Sequence, residues 1–297
     1  MTMSILIKRN IKLFFKDKGM FLTSLITPLI LLVLYATFLS NVYKDSFLIG
    51  IPAGLSIDEG LIDALVAGQL TSSILAVSAV TVSFCSNFLM VQDRANGTSR
   101  DLAVSPIKAS TLSIAYYSAT LISTLLICFT AAAVCLIYQA CVGWYLSFSD
   151  VAFIFADVLL LVLFGTALSS IISFFLSSQG QISAVGSIVS SCYGFICGAY
   201  MPISSFGEGL RKAVLFLPGT YGTSLLRNHA MGGVFREMER VGIPDAVTNP
   251  LADSIDANLY LGNYEFSIPV MFLILGLSTL VLATVYVAMN LSKRKAK

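Results

Sequence analysis

Few residues in this chain are placed to do covalent chemistry. The only histidine, His229, falls between two long apolar stretches and reads as a surface residue. A serine nucleophile at membrane depth would need a histidine beside it. The six cysteines (Cys85, Cys128, Cys135, Cys141, Cys192 and Cys197) lie in or beside apolar stretches and read as small buried residues. They form no Cys-x-x-Cys pair, and no His/Cys cluster has metal-ligand spacing. A phosphate-binding Gly-x-x-x-x-Gly-Lys-Ser/Thr loop is absent from the sequence, so nucleotide hydrolysis would need another chain. No catalytic residue and no metal ligand is assigned. Asp157 is the one acid well inside an apolar stretch, about two turns or roughly 10 Å from its outer edge. An intramembrane carboxylate points to function by default, and at that depth a hydrogen-bonded structural role is equally open.

The elements that must position these residues are set by the solvent. Hydrophobic residues make up 57% of the 297 and charged residues only 11%, against roughly 25% charged in a soluble domain. A helix crosses the hydrocarbon core with about 20 apolar residues. Six stretches qualify: 20–41, 66–91, 111–140, 151–176, 183–203 and 267–290. The first is too long for a signal peptide and lacks a small-residue cleavage pattern. Residues 3–18 read as an amphipathic surface helix, with Lys8, Lys12 and Lys16 on one stripe and Met3, Ile7, Ile11 and Phe14 on another. Such a helix seats on anionic lipid, touches a cytoplasmic partner, or both. Residues 42–65 read as an outer loop. Tight turns near 143–150 and 177–181 predict that spans three, four and five pack as a sequential unit. Two shorter apolar pieces, 206–217 and 220–231, are broken by Pro218 and Gly219 and read as a re-entrant helical hairpin. Residues 233–265 then form a polar outer cap. The expected fold is an all-α polytopic membrane protein of one domain, 1–297, with six transmembrane helices.

Lysine and arginine orient it. One side collects Lys8, Arg9, Lys12, Lys16, Lys18, Arg94, Arg100, Lys108 and the basic residues after 292, against Asp17, Asp93 and Asp101. The other side is net acidic. The basic side, with both termini, is therefore cytoplasmic, and nothing in the charge pattern suggests nucleic acid.

Two segments carry functional signals. After span two, Gly97 suits the left-handed residue that closes a helix, Thr98 with Asp101 resembles a capping box, and Ser105-Pro106 reads as the start of span three. A short rigid helix presented to the cytoplasm would suit docking, or be an ordinary capped turn. In span five, Ser187, Ser190, Ser191, Gly194 and Gly198 fit either tight helix packing or a weakly polar cavity wall. Span two is also rich in Ser and Thr.

The run Arg94, Gly97, Thr98, Asp101, Leu102, Ser105, Pro106 resembles the loop after the second span in type-2 ATP-binding cassette (ABC) permeases, the membrane subunits of bacterial exporters. Gly198-Ala199-Tyr200-Met201-Pro202, then Leu217-Pro218-Gly219-Thr220-Tyr221, Leu225-Leu226-Arg227 and Gly232-Gly233, is similar to their span-five end, hairpin turn and small-residue stop. Asn96 and Leu217 depart from the acidic residue and the Asn common at those positions. The resemblance implies a bacterial plasma-membrane exporter subunit. It implies docking of a separate cytoplasmic ATPase, in two copies, through the loop and through the surface helix with Lys8, Lys12 and Lys16. That ATPase would bind ATP and Mg. It further implies pairing with a second permease copy, identical or related, and a path for amphipathic cargo past Ser187, Ser191, Gly194 and Gly198. Pro218, Tyr221 and Arg227 would form the re-entrant turn. An ion-coupled carrier would show paired repeats and several buried charges, which the sequence does not display. A membrane scaffold without transport is opposed only by the loop motifs.

Overall fold

A computed structural model describes residues 2–49, 57–105, 107–262 and 264–295. Helix α1 (Thr2–Lys16) is followed by α2 (Lys18–Leu34), a π-helical turn (Tyr35–Leu39) and α3 (Ser40–Ile49). Asp17 begins α2 by accepting a hydrogen bond from the Met20 amide at 3.1 Å. Next come α4 (Glu59–Ala95), α5 (Thr98–Val104), α6 (Ala109–Val142), α7 (Phe148–Phe175) and α8 (Gln179–Ile196). The outer half continues with a 3₁₀ turn (Ile203–Ser205), α9 (Glu208–Leu215), α10 (Pro218–Arg240), α11 (Asp245–Ser254), a two-residue antiparallel ladder (β1 Tyr260–Leu261, β2 Tyr264–Glu265) and α12 (Ile268–Lys295).

The fold is helical and polytopic. Among the described residues five segments are long and apolar enough to cross a membrane: Lys18–Leu48, Glu59–Ala95, Ser110–Val142, Phe148–Phe175 and Ile268–Ser292. The fifth stretch expected from sequence, 183–203, is shorter than anticipated. Helix α8 holds 18 residues, about 27 Å of rise, and ends at Ile196. There Gly198 takes φ +75° and the Ala199 and Tyr200 amides return to the Gly194 carbonyl at 2.8 and 3.0 Å.

Helix α4 is the centre of the molecule. Of its most apolar window 89% is buried, against 17% for α12, so α12 is a peripheral helix and α4 a hub. It packs against α6, α7, α10, α2 and α8. Small residues permit this crowding. A Cβ on Gly68 would sit 2.9 Å from the Ala230 carbonyl oxygen, and one on Gly165 would sit 3.0 Å from that of Ala79.

Several boundaries and contacts correct the sequence reading. The outer loop begins late, because α3 carries the first span to Ile49, and α4 begins at Glu59 rather than 66. Helix α8 packs chiefly on α4 instead of completing a unit with α6 and α7. On α1 the buried line is Leu6, Asn10 and Phe14, because that face rests on α6. Met3 is exposed, and Ile7 and Ile11 are half-buried. Helix α10 does not stop at Gly232-Gly233 but runs on to Arg240. The Gly233 position is pressed against the Tyr145 backbone, so these glycines serve packing and not termination.

Candidate functional site

Two consecutive residues near the C-terminal end of α4 tie it to three other helices. Asp93 accepts from Arg9 of α1 (Nη1 to Oδ2 2.8 Å, Nη2 to Oδ1 3.4 Å) and from the Tyr116 hydroxyl of α6 at 2.5 Å. Arg9 also donates to Asn10 Oδ1 at 2.8 Å. Burial alone would lower the Arg9 pKa, but the hydrogen bond and charge of Asp93 outweigh it and hold it above the ordinary value. Arg94 donates from Nη1 to the carbonyls of Ser173, Phe174 and Leu176, at 2.9, 3.0 and 3.2 Å. A cation thereby meets the orphan carbonyls at the end of α7. Nearly two turns earlier on α4, Asn87 Nδ2 donates to Ser169 and Ser170 hydroxyls at 3.2 and 3.1 Å.

The short helix α5 hangs from this node. Gly97 sits at φ +83° with open space around it and precedes Thr98, the first helical residue. The expected Thr98–Asp101 capping box does not form, because Gly97 occupies the N-cap and offers no side chain. Asp101 is exposed, while Thr98, Leu102 and Ser105 are half-buried. Ser105 does not open α6. Its hydroxyl turns back to the Leu102 carbonyl at 2.6 Å, and Lys108 precedes the first turn of α6. Pro106 lies outside the described residues. The sequence reading missed Val104, a large apolar side chain that ends α5 and is 88% exposed. Lys8, Lys12 and Lys16 are exposed along the face of α1 turned away from α6.

Beside the node lies a groove of about 690 Å³ between α2, α4 and α8. Ser187 and Ser191 line it, with Ser183, Ser190, Gln179, Gln92 and Thr23. Gly194 and Gly198 do not belong to it. Gly194 is covered by the Tyr200 ring, 2.3 Å from where a Cβ would stand, and Gly198 makes the turn that ends α8. The Gly-x-x-x-Gly spacing therefore builds a chain reversal, not an interhelical seam.

The region that follows α8 is held by buried charge. Pro218 opens α10, whose first turn closes α9: Thr220 and Tyr221 hydroxyls donate to the Val214 and Leu215 carbonyls at 3.0 and 2.8 Å. Arg227, 1% exposed, donates to the Gly198 carbonyl at 2.6 Å and to Asp256 Oδ2 at 3.2 Å. Asp256 also accepts from the Ile203 and Ser204 amides, and Tyr35 of the π turn donates to the Ala199 carbonyl at 3.1 Å.

His229 is not a surface residue. It is 8% exposed, lies 2.6 Å from Asp157 through Nδ1, and stacks on Phe153 with centroids 4.8 Å apart. Arg236 pairs with Asp150 in the same interface. Asp150 and Asp157 are seven residues apart on α7, and His229 and Arg236 seven apart on α10. Two antiparallel helices with matched two-turn spacing therefore form two rungs. That shared spacing is the signal in the sequence that would have found them.

Residues 2–230 match the family model described as ABC-2 type transporter. None of the curated proteins matches the chain.

Proposed function

The chain belongs to the ABC-2 type transporter family, and from that premise we propose that it is the permease subunit of an ATP-driven exporter in a bacterial plasma membrane. Both termini and α5 face the cytoplasm in this reading, and α8 completes a sixth crossing together with the turn at 197–202. Helices α9 and α10 form the re-entrant hairpin. A separate cytoplasmic ATPase, present in two copies, binds ATP and Mg and docks on α5 and α1, while a second permease copy pairs with this one. Cargo of amphipathic character enters the groove lined by Ser187 and Ser191 and leaves outward.

One observation carries the docking assignment. The short helix that ends in exposed Val104 is joined through Gly97 to a helix end where Asp93 holds α1 and α6, and Arg94 holds α7. An apolar knob in the aqueous phase suits a partner's cleft. A push on α5 would reach four packed helices through two adjacent side chains. Val104→Asp tests this, since it removes the knob without touching a buried contact. The variant should reach the membrane in normal amounts and fail to co-purify with the partner ATPase. Undiminished co-purification would remove α5 from the docking surface, and absence of any ATPase from the wild-type complex would end the exporter reading.

A further inference from the structure

An outer recess of about 240 Å³ lies between α9, α11 and the segment before β1, and two opposite charges line it without meeting. The Arg211 side chain, on α9, makes no hydrogen bond or ion pair among the described residues. Every other arginine whose side chain is described holds a carboxylate or a backbone carbonyl: Arg9, Arg94, Arg227, Arg236 and Arg240. Arg211 is half-buried and lines the recess with its side chain unpaired among the described residues. Across the recess, Asp253 accepts from Asn258 Nδ2 at 2.9 Å and from the Tyr260 hydroxyl at 3.1 Å, both on Oδ1. These two bonds fix the carboxylate and leave Oδ2 for a further donor. Asp256, also in the wall, is already committed to Arg227 and two backbone amides.

The surroundings choose among ligands. Helix α9 buries Val214 and Leu215 inward and turns Leu210 outward at 57% exposure, followed by Phe216 at 79% and Leu217 at 41%. An apolar stripe beside a charged recess is what a helix lying in the headgroup layer presents. We propose that the recess binds a phosphoethanolamine headgroup of a membrane phospholipid, with its phosphate on Arg211 and its ammonium on Asp253. Guanidinium and phosphate match in a bidentate pair, and a primary ammonium supplies the N–H donor that Asp253 lacks. A glycerol headgroup carries no cation for Asp253, and a trimethylammonium group has the charge without the donor. The two-carbon bridge between phosphate and ammonium suits charges that share one recess without forming an ion pair of their own.

The test is native mass spectrometry of the full chain in detergent, titrated with phosphatidylethanolamine, phosphatidylglycerol, phosphatidylcholine and free phosphoethanolamine. Phosphatidylethanolamine should bind at one site per chain, roughly tenfold more tightly than the other two lipids, the scale of one charge-assisted hydrogen bond. Arg211→Gln breaks no side-chain bond within the chain and should weaken binding of all three lipids, Arg211→Lys should retain part of that affinity, and Asp253→Asn should abolish the preference for phosphatidylethanolamine. Equal binding of phosphatidylglycerol by the wild type, unchanged affinity in Arg211→Gln, or an unchanged preference in Asp253→Asn would overturn the site. Free phosphoethanolamine binding as tightly as the lipid would overturn the lipid as its source.

Discussion

The inner and outer halves of the molecule both use arginine–aspartate pairs, yet they bury them differently. At the inner end of α4 the Arg9 and Asp93 side chains are 28% and 10% exposed, and one carboxylate serves two helices. In the outer half Arg227 and Asp256 are 1% and 5% exposed, and the Gly198 carbonyl and two amides add to the pair, leaving Arg227 Nε as the one buried nitrogen of the guanidinium without a partner among the described residues. A partly solvated pair contributes about 1 kcal/mol or less. A buried one contributes little net, but costs about 3–5 kcal/mol when one partner is removed. The inner pair can therefore open and close within thermal reach, whereas the outer one is a fixed joint. Motion imposed on α5 would be taken up at the inner node and leave the outer joint intact.

The largest expected effect is at the joint. Arg227→Met strands the Asp256 carboxylate and the Gly198 carbonyl in the interior and should cost about 3–5 kcal/mol. The measurement is the thermal midpoint of the detergent-solubilised protein, with a drop large enough to empty the membrane of folded chain. A variant as stable as the wild type would mean that water reaches Asp256, and the contrast between halves would disappear. Changing both residues together, Arg227→Met with Asp256→Leu, should recover part of the loss while leaving the Ile203 and Ser204 amides unpaired.

How much of this was legible beforehand depends on the kind of signal. Apolar runs located both ends of α6 and α7 closely and placed α4 and α12 with one end each well short, because hydrocarbon thickness sets the apolar length and not the helix length. Gly97 was legible because a left-handed turn selects its residue type. Ser105 was misread because a hydroxyl before proline suits an N-cap equally as well as the backward bond to Leu102 that it makes. Arg9 and Asp93 are 84 residues apart, and no local pattern joins them. His229 was misplaced because α10 mixes polar and apolar residues around its circumference and so resembles a surface segment. That helix nonetheless packs against α4, α7 and α12, and from Thr220 to His229 its polar side chains are buried or half-buried.

An intermediate effect is expected at the inner node. Asp93→Asn keeps the shape and removes the charge, leaving Arg9 and the Tyr116 hydroxyl with a weaker acceptor. The stability loss should be about 1–2 kcal/mol, clearly less than at Arg227. Its functional cost should be larger than its structural one, because α1 would no longer follow α4. In the reconstituted complex this predicts ATP hydrolysis that persists while ATP-driven cargo movement falls. The charge exchange Arg9→Asp with Asp93→Arg should restore movement. Hydrolysis and movement declining in parallel would mean that Asp93 serves only folding.

The smallest effect on stability belongs to Lys8, Lys12 and Lys16, which touch nothing within the described chain that holds the fold. Changed together to glutamate, they should leave the thermal midpoint in detergent where it was, as exposed substitutions usually do. The face of α1 that matters for packing is Leu6, Asn10 and Phe14, and Arg9 keeps its grip on Asp93. What should change is whatever lies beneath the lysines. Each basic residue near an anionic surface contributes about 1 kcal/mol, and added salt screens that contribution. Lipid seating therefore predicts that the reversed helix becomes accessible to a water-soluble protease at low salt in anionic vesicles, and that neutral vesicles erase the difference from wild type. Docking predicts instead that the ATPase is lost from the complex in detergent, where no bilayer is present. A triple variant that behaves as wild type in both assays would leave the stripe as a solvated face, and Arg9 as the one basic residue of α1 joining it to the rest of the molecule.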